Sequence, residues 1–552
     1  MTGRGNFDTF EGLDPEKTSL VDLQVIPRVQ PVAVPGGSEK PPNNGAIIIP
    51  TGKEGRGSAL KQVLAALVAQ LGTINTGLVF GFSAIALPQL KKPTSYIKIT
   101  SQDASWIGES LVDNENNINL TVNAIGTPIG CLFSGYLADT LGRKMTLIIT
   151  EIPGLLGWLL ITFATDINMI LAGRFFVGLS SGMVGAPARV YAAEVTQPHL
   201  RGMLVAFASV GVSTGVFIEY ILGKYNSWNV CAGISALVPL ASIILIFLFP
   251  ETPSYLMSRE KPEKARRALN RLRGSTCNLD KEMDTLVNFS KTHSTKKLTG
   301  PREIITAILK PNAIKPFFML FLYFLIYQWS GTNALTFNAV QIFKDSGFPM
   351  DPNDLTIILG AVRVVATVAA CILCRRCGRR PLTIISSLGC AFSMLGLGIY
   401  KICTAGIPTI ELSSSHSWFP ALCVFTYTIF CTLGFLVIPW VMIGELYPAQ
   451  VRGIVGGLTT MSAHLFVFTV VKTFDDLKAL LTDGGIYTLY GVIPLVGTLY
   501  FYFFLVETKG KSLQEIEDYF SGRTSSMSTT KVPTPVVNKP QVLEPKKGQL
   551  LP

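Results

Sequence analysis

Glu194-Val-Thr-Gln-Pro-His-Leu-Arg201-Gly202 and Glu445-Leu-Tyr-Pro-Ala-Gln-Val-Arg452-Gly453 are two copies of one pattern. In each, a glutamate stands seven residues before an Arg-Gly pair, and the copies are offset by 251 residues. Two further landmarks recur in the same order. Gly142-Arg143-Lys144 pairs with Gly378-Arg379-Arg380, and Pro250-Glu251-Thr252 pairs with Val506-Glu507-Thr508. Chance supplies one such match but hardly an ordered set of three. The chain therefore reads as two related halves in parallel, an arrangement transporters use to hold a solute between two rocking units.

The composition fits that reading. The chain has 552 residues, 48% hydrophobic and 15% charged, whereas soluble domains are about a quarter charged. Twelve apolar stretches have the length of about 20 residues that crosses a bilayer as a helix. They fall near 60–82, 120–138, 145–164, 168–193, 203–223, 229–249, 315–340, 354–374, 381–402, 418–444, 454–474 and 485–506. Backbone amides in lipid must be satisfied within the segment, so each is expected to be a helix. The expected fold is all-α integral membrane, with twelve transmembrane helices in two six-helix pseudo-symmetric halves. Its parts are a tail (1–57), a first half (58–250), a linker (251–312), a second half (313–510) and a second tail (511–552).

Both tails are polar and rich in Pro, Gly, Ser, Thr or Lys, a composition that predicts disorder. No cleavable leader is read before the first span, which would act as an uncleaved targeting signal. Lys and Arg cluster in the linker and in the loops holding Arg143, Lys144, Arg201, Arg375, Arg376, Arg379 and Arg380. The opposite loops hold mainly Lys91, Lys92 and Lys98. This asymmetry places both termini and the linker in the cytoplasm. It also accounts for most of the +11 net charge, which argues against a nucleic-acid partner. The ten cysteines mostly lie within spans as small apolar side chains. Cys371, Cys374 and Cys377 have metal-like spacing but no histidine near them, so no metal and no cofactor is expected.

The duplicated charges sit at the helix ends that face the cytoplasm. Arg143 can pair with Glu194, and Arg379 with Glu445, with Arg201 and Arg452 beside them. Such pairs would form with the inner side closed and break when it opens. Plain anchoring of positive loops explains the arginines but not glutamates at a fixed spacing. Asp139 and Glu251 complete the gating set, and Asp139 has only Arg375 opposite it in the second half.

These residues resemble the sugar porter family of the major facilitator superfamily. The resemblance covers about 60–520. It rests on Gly135-Tyr-Leu-Ala-Asp139-Thr-Leu-Gly142-Arg143-Lys144, Gly173-Arg174 with Gly178, Pro250-Glu251-Thr252-Pro253, Ile438-Pro439-Trp440, Glu445-Leu-Tyr-Pro448 and Glu507-Thr508-Lys509-Gly510-Lys511. Within that family, Gln62-Val-Leu-Ala-Ala66, Thr196-Gln-Pro-His-Leu-Arg-Gly202, Val340-Gln-Ile-Phe-Lys-Asp345 and Val471-Lys-Thr-Phe474 are similar to the insect trehalose carriers. The resemblance implies passage of a mono- or disaccharide, with a small helical bundle at 251–312. A sugar needs amides that donate and accept, plus an aromatic wall. Gln328 and Asn333 match the family's sugar-binding amides, and Trp440 matches its aromatic wall. The alternative for the amides is hydrogen bonding between helices.

Several pocket positions depart from the family. Ser209 replaces a glutamine, Tyr327 another glutamine, Asn338 a tyrosine, and Arg363 an asparagine. Ala463-His464 replaces an Asn-Trp pair, and Arg375 replaces an acid. A cation near mid-membrane is costly unless paired or hydrated. Arg363 can pair with Glu219, contact the substrate, or snorkel to water. His464 can serve substrate or packing. Ser83 stands where proton-coupled members carry aspartate, which favours facilitated diffusion over proton symport. An unusual insertion, 109–119, precedes the second span.

The expected function is a monomeric plasma-membrane transporter of trehalose or a hexose, not an enzyme. Its partners are the sugar and the lipid bilayer. A proton symporter, a non-transporting sugar sensor and a carrier of another polar solute are the alternatives.

Overall fold

A computed structural model describes residues 58–90, 122–274, 279–292, 301–337, 339–345, 348–404, 418–448, 451–511 and 513–523. The expected tail 1–57, the 109–119 insertion and Asn338 lie outside the described residues.

Twelve long helices make the body. In the first half they are α1 Ala59–Ala86, α2 Val122–Leu141, α3 Arg143–Thr162, α4 Ile167–Val195, α5 Leu200–Tyr225 and α6 Trp228–Phe247. In the second they are α7 Pro311–Thr336, α8 Pro352–Cys374, α9 Arg379–Cys403, α10 Trp418–Leu446, α11 Arg452–Phe474 and α12 Asp476–Phe504. Eleven are long and apolar enough to cross a membrane among the described residues. The other, α2, has 20 residues and takes the second place in the series. Large apolar side chains such as Phe163, Phe247, Val365, Phe392 and Phe503 stand exposed around the outside. In a bilayer that surface meets acyl chains.

Some helices are broken where the sequence suggested one run. α7 opens at Trp329–Gly331, with Gln328 ending its first piece and Thr332 starting the next. Conversely α11 and α12, two separate spans in the sequence, continue as one run, kinked at Thr482 with φ of 68°. Between the halves, Pro253–Ser258, Pro262–Arg273, Leu279–Thr292 and Pro301–Ile308 form short helices. A further helix, Leu513–Phe520, follows α12.

Helix packing repeats between the halves. α2 packs on α4 within its half and on α11 across the division. α5 packs on α1 within its half and on α8 across it. Since α8 and α11 are the copies of α2 and α5, the two cross-contacts are the same contact seen twice. Small residues let these helices approach closely. A side chain begun at Gly77 would lie 2.1 Å from the Val212 carbonyl, and one at Gly215 2.2 Å from that of Ile74.

Gly215→Val should therefore force α1 from α5 and cost about 1–3 kcal/mol of stability. Gly202→Ala, with open space around it, should leave the melting temperature of the detergent-purified protein unchanged. Equal melting of the two variants would refute this account of the α1–α5 crossing.

Candidate functional site

The end of the molecule that carries Arg143 and Arg379 is here the basic end. Gly142 and Gly378 turn the chain there at φ of 98° and 87°, in the left-handed region where a Cβ is strained. A Cβ at either would also press on a carboxylate, 2.5 Å from Glu251 and 2.7 Å from Glu507.

That carboxylate caps the next helix. The first N–H groups of a helix have no partner within it. Glu251 accepts from the backbone N–H groups of Arg143 (3.1 Å), Lys144 (3.1 Å) and Thr252 (2.9 Å). Glu507 accepts from those of Arg379 (3.0 Å), Arg380 (3.0 Å) and Lys509 (2.8 Å). The Thr252 hydroxyl donates to Glu194 at 2.6 Å, and the Thr508 hydroxyl to Glu445 at 2.6 Å. Arg143 donates to Glu194 at 3.2 Å, and Arg379 to Glu445 at 2.7 Å. The copies match in the two helix-opening donors, the threonine and the arginine–glutamate pair, and differ in the third backbone donor, Thr252 in one and Lys509 in the other.

Both ion pairs lie inside a single half. They brace each half and do not themselves join the two, because α2–α3 and α4 belong to the same six-helix unit. Arg452 donates to the Tyr447 carbonyl at 2.9 Å, not to Glu445, and Arg201 is exposed. Asp139 is mostly exposed, 3.5 Å from Arg143. What crosses between halves at the basic end is α2 on α11. A Cβ on Gly135 would lie 3.0 Å from the Gly453 carbonyl.

Nearer mid-membrane the two copies face each other. The 251-residue offset that relates Glu194 to Glu445 also relates Arg189 on α4 to Trp440 on α10. These two meet across the interface, with the guanidinium 4.9 Å from the ring centroid. Arg189 also donates to the Gly185 carbonyl at 2.9 Å. Trp440 is flanked by Phe324 at 5.0 Å and His464 at 6.0 Å. His464 is held by the Thr460 carbonyl at 2.9 Å and lies 3.8 Å from the Cys131 sulfur. Its equivalent contact in the other copy is Ser213 with Thr367, at 2.8 Å.

The expected sugar amides are together. Gln328 and Asn333 are buried at the break in α7, and Asn333 Nδ2 donates to Gln328 Oε1 at 2.6 Å. Ser209 is buried on α5. Beside the α7 break, the Tyr427 hydroxyl meets those of Ser330 (2.9 Å) and Thr332 (2.8 Å). A cavity opens here between the halves, lined by Tyr220, Thr332, Thr336, Arg363, Tyr427 and Cys431 among others. Sequence reading missed Tyr427 and Thr332. Their only signal was polarity within apolar spans.

Arg363 is not paired with Glu219. Its Nη1 donates to the Thr336 hydroxyl at 3.2 Å. Glu219 points into the first half and accepts from Ser235 at 2.9 Å. The face of α5 that bears Glu219 packs on α1 at Gly81. Arg174, fully buried, donates to Ser83 and to the Val79 carbonyl. Glu151 is a second buried acid, on α3, that the sequence reading did not single out. At the end away from the basic loops, Lys224 of α5 pairs with Asp354 of α8, and the Tyr220 hydroxyl donates to the Thr336 carbonyl at 2.9 Å. Those two contacts do join the halves.

Two six-helix copies with a cavity at their junction define a transporter of the major facilitator type. The chain belongs to the sugar (and other) transporter family, whose model matches residues 65–520. It is 33% identical over 469 residues to the facilitated trehalose transporter of Polypedilum vanderplanki, covering 85% of this chain and 90% of that one. It is 32% identical over 470 residues to trehalose transporter 1 of Drosophila melanogaster, covering 85% of this chain and 53% of that one. The chain thus spans about half the length of that relative. Among solved structures it is similar to the proton:xylose symporter XylE bound to 6-bromo-6-deoxy-D-glucose. That match has a TM-score of 0.68 and 23% identity, over 84% of this chain and 99% of that one. A partially occluded inward-open form of XylE from E. coli gives a TM-score of 0.65 and 21% identity, over 82% and 100%. The family is one of transporters, not enzymes.

Glu251→Ala and Glu507→Ala each leave backbone donors without partners, at about 1–3 kcal/mol for a buried donor. Thermal unfolding of the purified protein should fall by similar amounts in both. A wild-type melting curve for either would break the equivalence of the two nodes.

Proposed function

We propose that this chain moves trehalose or a hexose across the plasma membrane by alternating access, as facilitated diffusion. Both termini and the linker face the cytoplasm, and one chain suffices for transport. The observation that carries this is the Gln328–Asn333 pair at a break in α7, next in sequence to Thr332, which lines the cavity between the halves. Each amide there can donate and accept toward sugar hydroxyls. Trp440 supplies an apolar face. Family membership supports the class of solute, and the names of the insect relatives support trehalose. Facilitated diffusion is favoured because Ser83 is neutral and engaged by Arg174.

The test is uptake of radiolabelled trehalose and glucose into liposomes holding the purified full-length protein. Uptake down a gradient is expected for at least one, unchanged by a protonophore. Gln328→Ala and Asn333→Ala should each raise the apparent KM about tenfold or more, as loss of a buried hydrogen-bond partner costs about 1–3 kcal/mol. No uptake of either sugar overturns the proposed substrates. Arrest by the protonophore converts the reading to proton symport, which two buried acids, Glu219 and Glu151, would then have to serve.

A further inference from the structure

Arg363 is the midpoint of α8, and its environment is short of negative charge. Its guanidinium borders the cavity between the halves. Among the described residues no carboxylate lies within ion-pair distance of it. Its one hydrogen bond to a described residue goes to a neutral hydroxyl, Thr336. Its Nε is sealed from solvent and has no partner. The acids on α5 and in the first turn of α8 are committed elsewhere: Glu219 to Ser235 inside the first half, Asp354 to Lys224. A second cation at the interface, Arg189, is likewise without a carboxylate and rests on the Trp440 ring. The rest of the cavity wall carries no charge: it sets the hydroxyls of Thr332, Thr336, Tyr220 and Tyr427 and the Cys431 thiol among the apolar side chains of Leu335, Leu359 and Leu436. Arg363 is only half-buried, yet a cation at mid-membrane without a partner is unfavourable unless water or a counter-charge meets it. A neutral sugar does not.

We propose that this cavity binds a single negative charge against Arg363, either the carboxylate of a sugar acid that is itself carried or a free halide beside a neutral sugar. A carboxylate in the cavity would take N–H donors of the two terminal nitrogens of the planar guanidinium, in the forked geometry that suits it. The wall hydroxyls would then meet the sugar hydroxyls. Both forms rest on the sugar-transport reading for the size of the solute.

The experiment uses the purified full-length protein in lipid nanodiscs with sulfate as the only added salt anion. Binding of radiolabelled D-glucuronate and D-glucose is measured, with sodium chloride as competitor. Glucuronate should bind, and Arg363→Gln should lower the ratio of glucuronate to glucose affinity by at least about 30-fold, as expected for a lost buried charge contact. Arg363→Lys should keep part of the preference. Liposome uptake separates the two sources. Accumulation of glucuronate identifies a sugar-acid substrate. Chloride that displaces glucuronate and speeds neutral-sugar uptake identifies a bound halide. Absence of both glucuronate and chloride binding to the wild-type protein overturns the inference, whatever Arg363→Gln does. So does glucuronate binding that the folded Gln variant leaves intact. Neutral-sugar uptake by wild-type protein, read in the same liposomes, reports on the sugar-transport reading separately.

Discussion

One carboxylate in each half carries a disproportionate part of the architecture. Glu251 and Glu507 gather the backbone N–H groups that open α3 and α9. A helix N-terminus is electropositive, so a carboxylate there satisfies both the donors and the dipole. The following threonine then holds Glu194 or Glu445, which in turn holds Arg143 or Arg379. Each node ties the turn between two helices to a third helix and to the segment after the sixth. A six-helix half can therefore move as one body.

The joint between the halves is built differently. Across it run close glycine contacts, a hydroxyl pair, a histidine against a thiol, and an arginine on an indole. Individually such contacts are weak, about 0.6 kcal/mol on average for hydrogen bonds between membrane helices. At the end away from the basic loops, Lys224 and Asp354 add an ion pair across the joint. Strong bonding inside the halves with weaker bonding between them is the mechanical requirement of alternating access.

The repeat also sets equivalent positions to different tasks at the joint. Arg189 and Trp440 occupy equivalent positions and stack on each other, so one position serves a cation and its copy the ring that receives it. His464 and Ser213 are likewise equivalents at the joint. The departure from the family pattern at His464 is therefore a change in how the halves meet.

The helices, their number and their duplication were legible in the sequence, because lipid leaves a crossing backbone no other regular form and hydropathy marks each crossing. The partners within each half were legible too: Arg143 with Glu194 and Arg379 with Glu445 follow from charges repeated at fixed spacing. The tertiary structure decided which contacts cross the joint. Spacing along one helix says nothing of the face that meets another, so Glu219, expected beside Arg363, turns into the first half instead. Tyr427 and Thr332 had no charge or motif to mark them. They come together only because α7 breaks at Gly331 and α10 packs against the gap, and the partnerless guanidinium of Arg363 shows only in three dimensions.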